Sequence, residues 1–272
     1  MTCKNCHAEL SEISKFCNSC GAKVVTKRIT AKNLLSDIFQ NAFGWDNKYF
    51  STIRSLIIRP GELLREYLGG TRKKYVNPFT FLVIGMTLAV FTFNSFEDRY
   101  IENNMNFQTK QMKWQSQWMN ENLGVPLPSE VVKKEQLAGV ERSTKFILKY
   151  FNILVVLTLP LYTLLAFLVY RKPYNYGEHI VINCYIQGVS FISISGLFLI
   201  SLVTHPLVYL LNSLLLLIFY AYAYGKLYKL SVGQSIFKVF LFLAILIAVS
   251  VAIMIVGFLV GMAVAYFGGK FG

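Results

Sequence analysis

The residues best placed to do chemistry come first in the chain. Cys3-x2-Cys6 and Cys17-x2-Cys20 are two tight thiol pairs separated by ten residues, with Gly21 directly after the last of them. A Cys-x2-Cys turn aims two sulfurs at one point, and two such turns make a tetrahedral cage of four sulfurs. Zinc, whose filled d-shell imposes no geometry of its own, accepts that cage. The alternatives are iron in a similar cage, or thiols that are redox-active or disulfide-bonded. The gap is shorter than the usual spacing of about 15–20 residues, yet it has room for a small hairpin. Four protein ligands leave no position for a water, so zinc held by Cys3, Cys6, Cys17 and Cys20 is expected to be structural rather than catalytic. Gly21 permits an open backbone beside the last ligand, and Phe16 is placed to cover the metal. A segment this small has almost no core, so its metal affinity is its folding energy.

What must carry this module is a membrane. Of 272 residues 54% are hydrophobic and only 15% charged, and the mean hydropathy is +0.47; a soluble domain carries about 25% charge. Five apolar runs are long enough to cross a bilayer as helices: 78–96, 151–169, 180–203, 206–224 and 239–267. None holds an Asp, Glu, Lys or Arg. The last exceeds the membrane thickness and must tilt or overhang. His205–Pro206 is the only punctuation between the third and fourth, which are expected to form a tight hairpin.

Charge sets the orientation. Residues 1–75 hold 13 Lys and Arg against 6 Asp and Glu, whereas residues 97–145 hold 7 of each. Arg171 and Lys172 follow the second span, and Lys226, Lys229 and Lys238 lie between the fourth and fifth. The net charge of +13 therefore reads as the positive-inside bias of a membrane protein before it reads as a nucleic-acid surface. No secretory signal precedes Cys3, and cytosolic thiols stay reduced and free to bind metal. The two signals agree on a cytosolic amino terminus and an extracytoplasmic carboxyl terminus.

Three units follow: a metal module over 1–25, amphipathic juxtamembrane helices over 26–75, and a transmembrane domain over 76–272 with an outer loop at 97–145. Leu34, Leu35, Ile38 and Phe39 recur at helical spacing, as do Tyr49, Phe50, Ile53, Leu56 and Ile57. Pro60 starts a short helix and Gly69–Gly70 stops it. These apolar faces either lie on the inner leaflet, beside the basic run Arg72–Lys74, or pack on the bundle. Lys23, Lys27, Arg28 and Lys32 suit anionic lipid better than nucleic acid. In the outer loop Phe107, Trp114 and Trp118 share a helical face, which fits a helix resting on the outer interface and ended by Pro126 and Pro128.

Inside the spans the candidates are polar. Glu178–His179 either relays protons or caps the third span at the interface. Asn183, Gln187 and Ser190, with Ser201, form a stripe that either hydrogen-bonds neighbouring helices or lines a path for a small solute. The lack of ionised residues in the spans argues against ion-coupled transport. Gly257-x3-Gly261 is a small-residue face for close helix contact within the chain or between copies. Cys184 reads as a small buried apolar residue. No nucleophile triad, HExxH pair, P-loop or dinucleotide fingerprint is present.

Three segments together carry a resemblance: the Cys-x2-Cys…Phe-Cys-x2-Cys-Gly head, RPGELLREYLGGTRKKYVNPFTFL over 59–82, and YGEHIVINCY over 176–185. The chain resembles a family of unknown function, bacterial multipass membrane proteins with an N-terminal zinc ribbon. The resemblance implies an inner-membrane location and supplies no catalytic residues. Relatives carry further histidines where this chain has Cys184, Tyr185 and Gln187, so any chemistry of those histidines is not implied here. The expectation is an all-α membrane protein: five transmembrane helices plus amphipathic interfacial helices, with a small N-terminal zinc ribbon. Its partners would be the lipid bilayer, an unknown protein, and a second copy through Gly257 and Gly261. Its role would be a non-enzymatic cytosolic platform for regulation, membrane organisation or assembly. A channel or permease for a small neutral or lipidic solute is the alternative.

Overall fold

The computed structural model describes residues 1–11, 14–24 and 48–268. The expected amphipathic pattern at 34–39, Lys27, Arg28 and Lys32, and the chain end at 269–272 lie outside them. Among the described residues there is no strand, only two isolated antiparallel bridges, Thr2 with Glu9 and Phe16 with Lys23.

Among the described residues eight α-helices follow the cysteine module. α1 (Lys48–Ile58) and α2 (Pro60–Gly69) precede the membrane. α3 (Pro78–Ser95) begins on an Asn77 cap, whose side chain accepts from the Phe79 amide at 3.0 Å. α4 (Glu97–Leu123) and α5 (Glu130–Tyr170) follow, then α6 (Tyr176–Val203), a 3-10 turn at Val208–Leu210, α7 (Leu211–Tyr228) and α8 (Val232–Gly268). α3, α5, α6, α7 and α8 are long and apolar enough to cross a membrane.

The segment 97–145 between the first two spans is mostly helical, with Phe107, Trp114 and Trp118 on one helix. Phe96 breaks the chain at φ −130°, ψ 38°, and α4 sets off as a separate helix of 27 residues. It returns through Gly124–Ser129 into α5, whose first half is polar and whose second half is the span. The two halves meet at Tyr150, which has non-helical backbone. Asn104 Nδ2 donates to Thr144 Oγ1 across this hairpin at 2.8 Å. Trp114 and Trp118 are exposed.

The most extensive helix pair is α3 with α6. It is close because two glycines face each other. A Cβ on Gly85 would stand 2.7 Å from the Gly188 carbonyl, and one on Gly188 would stand 2.5 Å from the Phe81 ring. Gly257, expected as a contact face, has nothing within 4 Å, so it joins no helix within the described chain. At one end of the bundle Phe93, Tyr100, Phe198 and Tyr209 form an aromatic cluster. The other end gathers the start of α3, the end of α5, the start of α6 and the end of α7. There Tyr185 donates to the Val76 carbonyl at 2.5 Å and Tyr228 to the Arg171 carbonyl at 3.3 Å.

α1 and α2 are part of that end. Leu56, Leu63, Leu64 and Tyr67 are buried in the main core with Phe81, Tyr185 and Tyr224. Of the two readings of their apolar faces, packing on the bundle is the one observed here. Phe50, Ile57 and Ile58 stay exposed.

Candidate functional site: a four-cysteine cage docked on the bundle

The two thiol turns are near-copies. His7 N–H donates to the Cys3 carbonyl at 2.8 Å, and Gly21 N–H to the Cys17 carbonyl at 2.7 Å. Cys3 and Cys17 in turn donate their own amides to the Ala8 and Ala22 carbonyls at 2.8 and 2.7 Å. Each knuckle ends in the left-handed region, at His7 (φ 61°) and Gly21 (φ 65°). Glycine meets that demand freely and histidine at some cost.

The sulfurs all lie within 4.8 Å of one another, with Cys3–Cys20 at 3.8 Å and Cys6–Cys17 at 3.6 Å. A zinc–sulfur length of about 2.3 Å sets tetrahedron edges of about 3.8 Å, so the cage fits the ion. Backbone amides tune the thiols. The Ala22 amide overrides desolvation and lowers Cys20 to about 6; the amides of Asn5 and Cys6 lower Cys3. At Cys6 the Ala8 amide also pulls down, but the neighbouring sulfurs, Cys20 foremost, together with desolvation push it up to about 11. Four sulfurs this close cannot all be thiolates without a cation among them. Phe16 does not cover the cage: it is 57% exposed, and Ala22, Ala8 and Leu10 do the packing.

The module does not hang free. Lys4 Nζ donates to the Gly69 carbonyl at 2.7 Å, and Thr71 Oγ1 donates to the Lys4 carbonyl at 2.6 Å. Lys73 Nζ donates to the carbonyl of Cys20, a ligand residue. The strap Gly69–Tyr75 is itself pinned. Lys74 pairs with Glu66 at 2.7 Å, and Tyr75 donates to the same carboxylate at 2.6 Å. Burial alone would raise Glu66, but those two hydrogen bonds hold it below the ordinary carboxylate range. Arg65 then ties α2 to the bundle, donating to the Lys226 and Leu227 carbonyls at 2.6 and 3.2 Å. Those carbonyls sit at the negative end of α7. Arg65→Ala should cost about 1 kcal/mol in a chemical unfolding titration in detergent. Arg65→Lys should restore only part, because an ammonium lacks the fork.

Residues 2–24 match a zinc-ribbon domain. The module is a zinc ribbon. Residues 46–90 match a family described as protein of unknown function (DUF3667). That stretch covers α1, α2, the strap and most of α3, the part on which the ribbon docks. No curated protein and no solved structure matches the chain.

The intramembrane candidates fall into place separately. Glu178 and His179 are buried within the protein, 4% and 0% exposed. Glu178 closes a capping box with Asn175, the Asn175 amide donating to its carboxylate at 2.6 Å and the Glu178 amide to Asn175 Oδ1 at 3.0 Å. That turns the carboxylate back over the helix start, while helical periodicity puts His179 on the inward face with Asn183. Asn183 donates to the His179 carbonyl and to Tyr224 Oη. Ser190 accepts from Asn212 at 3.1 Å, and Ser201 donates to the Phe198 carbonyl at 2.6 Å. Gln187, half-buried, has no hydrogen-bond partner among the described residues. Cys184 is buried against Leu82 and Leu159.

A tyrosine ladder escaped the reading of the sequence. Tyr220, Tyr224 and Tyr228 recur every fourth residue on α7, a spacing visible in the sequence, and meet Tyr170 of α5 with ring centroids 6.2, 4.2 and 5.3 Å away.

Proposed function

We propose that this chain is a bacterial inner-membrane protein whose cytosolic zinc ribbon and juxtamembrane helices form a platform for a protein partner, in regulation, membrane organisation or assembly. The observation that carries the reading is the docked ribbon. Lys73 reads the backbone of a metal-ligating residue, and the strap holding Lys73 is continuous with the first span, so a partner bound to the ribbon is mechanically joined to the bundle. A closed four-sulfur site serves shape rather than turnover. Lys4, Arg59, Arg65, Lys73, Arg171 and Lys226 all lie at the ribbon end, which supports placing that end in the cytosol. The carboxyl terminus, after an odd number of spans, is then extracytoplasmic.

The test compares affinity purification of the intact protein with Cys17→Ser from the same membranes, read by mass spectrometry. At least one stoichiometric protein should be lost with the ribbon. Identical partner lists would remove the platform role.

A second reading, a permease for a small neutral or lipidic solute, draws on Gln187, a half-buried polar side chain midway along α6 with no hydrogen bond among the described residues. It predicts solute flux into proteoliposomes that Gln187→Leu abolishes.

A further inference from the structure

The bundle buries a hydrogen-bonded chain whose protons can be assigned in one consistent sense. Tyr228 donates its one proton to the Arg171 carbonyl at 3.3 Å. Its contact with His179 Nε2 at 3.2 Å must then be one that Tyr228 accepts, so the imidazole carries its proton on Nε2 and offers Nδ1 as acceptor. Tyr224 donates to Nδ1 at 3.1 Å. The Tyr224 oxygen accepts from Asn183 Nδ2 at 3.2 Å, and Asn183 sends its other N–H to the His179 carbonyl at 2.9 Å. Each group is used in one consistent sense, from Asn183 through Tyr224, His179 and Tyr228 to Arg171.

Four further buried polar atoms have no hydrogen-bond partner among the described residues: Thr163 Oγ1, Tyr170 Oη, Tyr220 Oη and Asn212 Oδ1. Their residues are no more than 8% exposed. Tyr170 stacks on Tyr224 at 4.2 Å, Tyr220 lies 4.6 Å from Tyr224, and Asn212 bonds Ser190 across to α6. Along α7 the series Tyr228, Tyr224, Tyr220 and Asn212 spans sixteen residues, roughly 24 Å of helix against a hydrocarbon core of about 30 Å. Unpaired hydroxyl and amide oxygens in such surroundings are costly, and bound water is the partner that polar cavities recruit.

We propose that the bundle contains a proton relay, Tyr224–His179–Tyr228, running from water held by Thr163, Tyr170, Tyr220 and Asn212 to the surface at Arg171. Its ligands are water and the hydrated proton. A proton from internal water reaches the Tyr224 oxygen while Tyr224 passes its own to Nδ1. The imidazolium then gives its Nε2 proton to the Tyr228 oxygen, and Tyr228 releases its own to surface water. One proton crosses and no other bond changes; the start is restored when the two hydroxyls rotate and the imidazole turns about its Cβ–Cγ bond to regain its proton on Nε2. The charged and titratable groups around the relay are Glu178, adjacent to His179 in sequence and held by its cap; Lys238, 5.6 Å from the Tyr170 ring centre and bonded to the Val169 carbonyl; and Tyr174, edge-on to Tyr228. Phe167 closes the remaining side of the imidazole. The ring stacks keep the donors in register during the two transfers. The proposal does not depend on the platform reading.

The test is solid-state NMR of the full chain in lipid bilayers, labelled with nitrogen-15 at its three histidines, His7 and His205 being assigned by substitution. His179 should be neutral with the proton on Nε2, and that N–H should exchange with deuterated water within minutes despite the residue's burial. Tyr228→Phe and Tyr224→Phe keep the stacked rings and delete one hydroxyl each; each should slow the exchange at least tenfold. Thr163→Val, which leaves the relay itself intact, should remove the magnetisation transfer from water to the Tyr224 hydroxyl. A wild-type His179 protonated on Nδ1, or an N–H that persists for days in deuterated water, would overturn the proposal without any variant having to fold.

Discussion

Replacing Cys17 with serine should empty the ribbon of zinc and release it from the bundle, leaving the bundle folded. Cys17 is 2% exposed and its sulfur lies 3.6 Å from that of Cys6. A serine hydroxyl is a harder, weaker ligand that stays protonated at neutral pH. In a module with so small a core, structural zinc supplies about 10–16 kcal/mol of apparent free energy, which is the folding energy itself. The three remaining thiols therefore hold neither the metal against a chelator nor the two knuckles. Zinc per chain should fall from about one to below about 0.2 after chelator dialysis. Proteolysis at Lys4, Lys15 and Lys23 should accelerate by well over tenfold. The ribbon meets the strap through Lys4, Thr71 and Lys73, bonds worth about 1 kcal/mol each, so the bundle should melt within a few degrees of wild type.

The same cage predicts a pH dependence of definite sign. Zinc binds thiolates and displaces their protons. Cys20 ionises near 6 and Cys6 only near 11, so binding at pH 7 releases protons and acid opposes it. Apparent zinc affinity should fall more than roughly tenfold per unit as pH drops from 7 to 5, measured by chelator competition. An affinity flat across that range would mean the thiols are not the ligands.

Gly188→Val should be the most damaging substitution within the membrane. The new side chain would start 2.5 and 2.7 Å from two atoms of Phe81 and 3.3 Å from its carbonyl. Phe81 has no room to swing aside: it is fully buried, with Tyr49 at 5.1 Å and Tyr185 at 5.5 Å between ring centres. The clash is resolved only by parting α3 from α6, the largest helix contact of the bundle. Overpacking of this kind costs roughly 1–3 kcal/mol where side chains can adjust, and more where backbones must move. The thermal midpoint in detergent should drop by several degrees. Gly257→Val is the matched control, since its site is open and the monomer's midpoint should not change. If Gly257 and Gly261 join two copies, that variant should instead abolish a cross-linked dimer.

Much of this was legible from residue type and spacing. The four cysteines declare their cage because two Cys-x2-Cys turns have few other uses, and the backbone knuckles follow from Ala8, Ala22, His7 and Gly21 standing at equivalent places. The spans are legible because hydrocarbon leaves a backbone little choice but helix. α2 is legible because Pro60 opens it and Gly70 closes it. The outer segment was harder. Residues 130–149 have no apolar periodicity, and what makes them helical is helix-forming Glu, Lys, Gln and Ala behind a Ser129 cap, continuous with a span that holds them in line.

Which small residues touch was not legible. Gly257-x3-Gly261 has the familiar spacing and at Gly257 meets nothing among the described residues, while Gly85 and Gly188, 103 residues apart, face each other between α3 and α6. A spacing on one helix says that a neighbour can come near, not which neighbour does. The same holds for His179: the sequence shows it beside Glu178 at a helix start, but not that its partners are Tyr224 and Tyr228 of another helix.

The sequence by itself determined a metal cage, five membrane-length helices and a charge bias between their ends, because each depends on residues near one another along the chain or on the solvent each run tolerates. Only the tertiary structure decided that the ribbon rests on the strap through Lys4, Thr71 and Lys73, that α1 and α2 belong to the bundle, and that α6 and α7 bury two tyrosine hydroxyls against one histidine. Those are pairings between distant segments, set by which surfaces fit once the helices have formed.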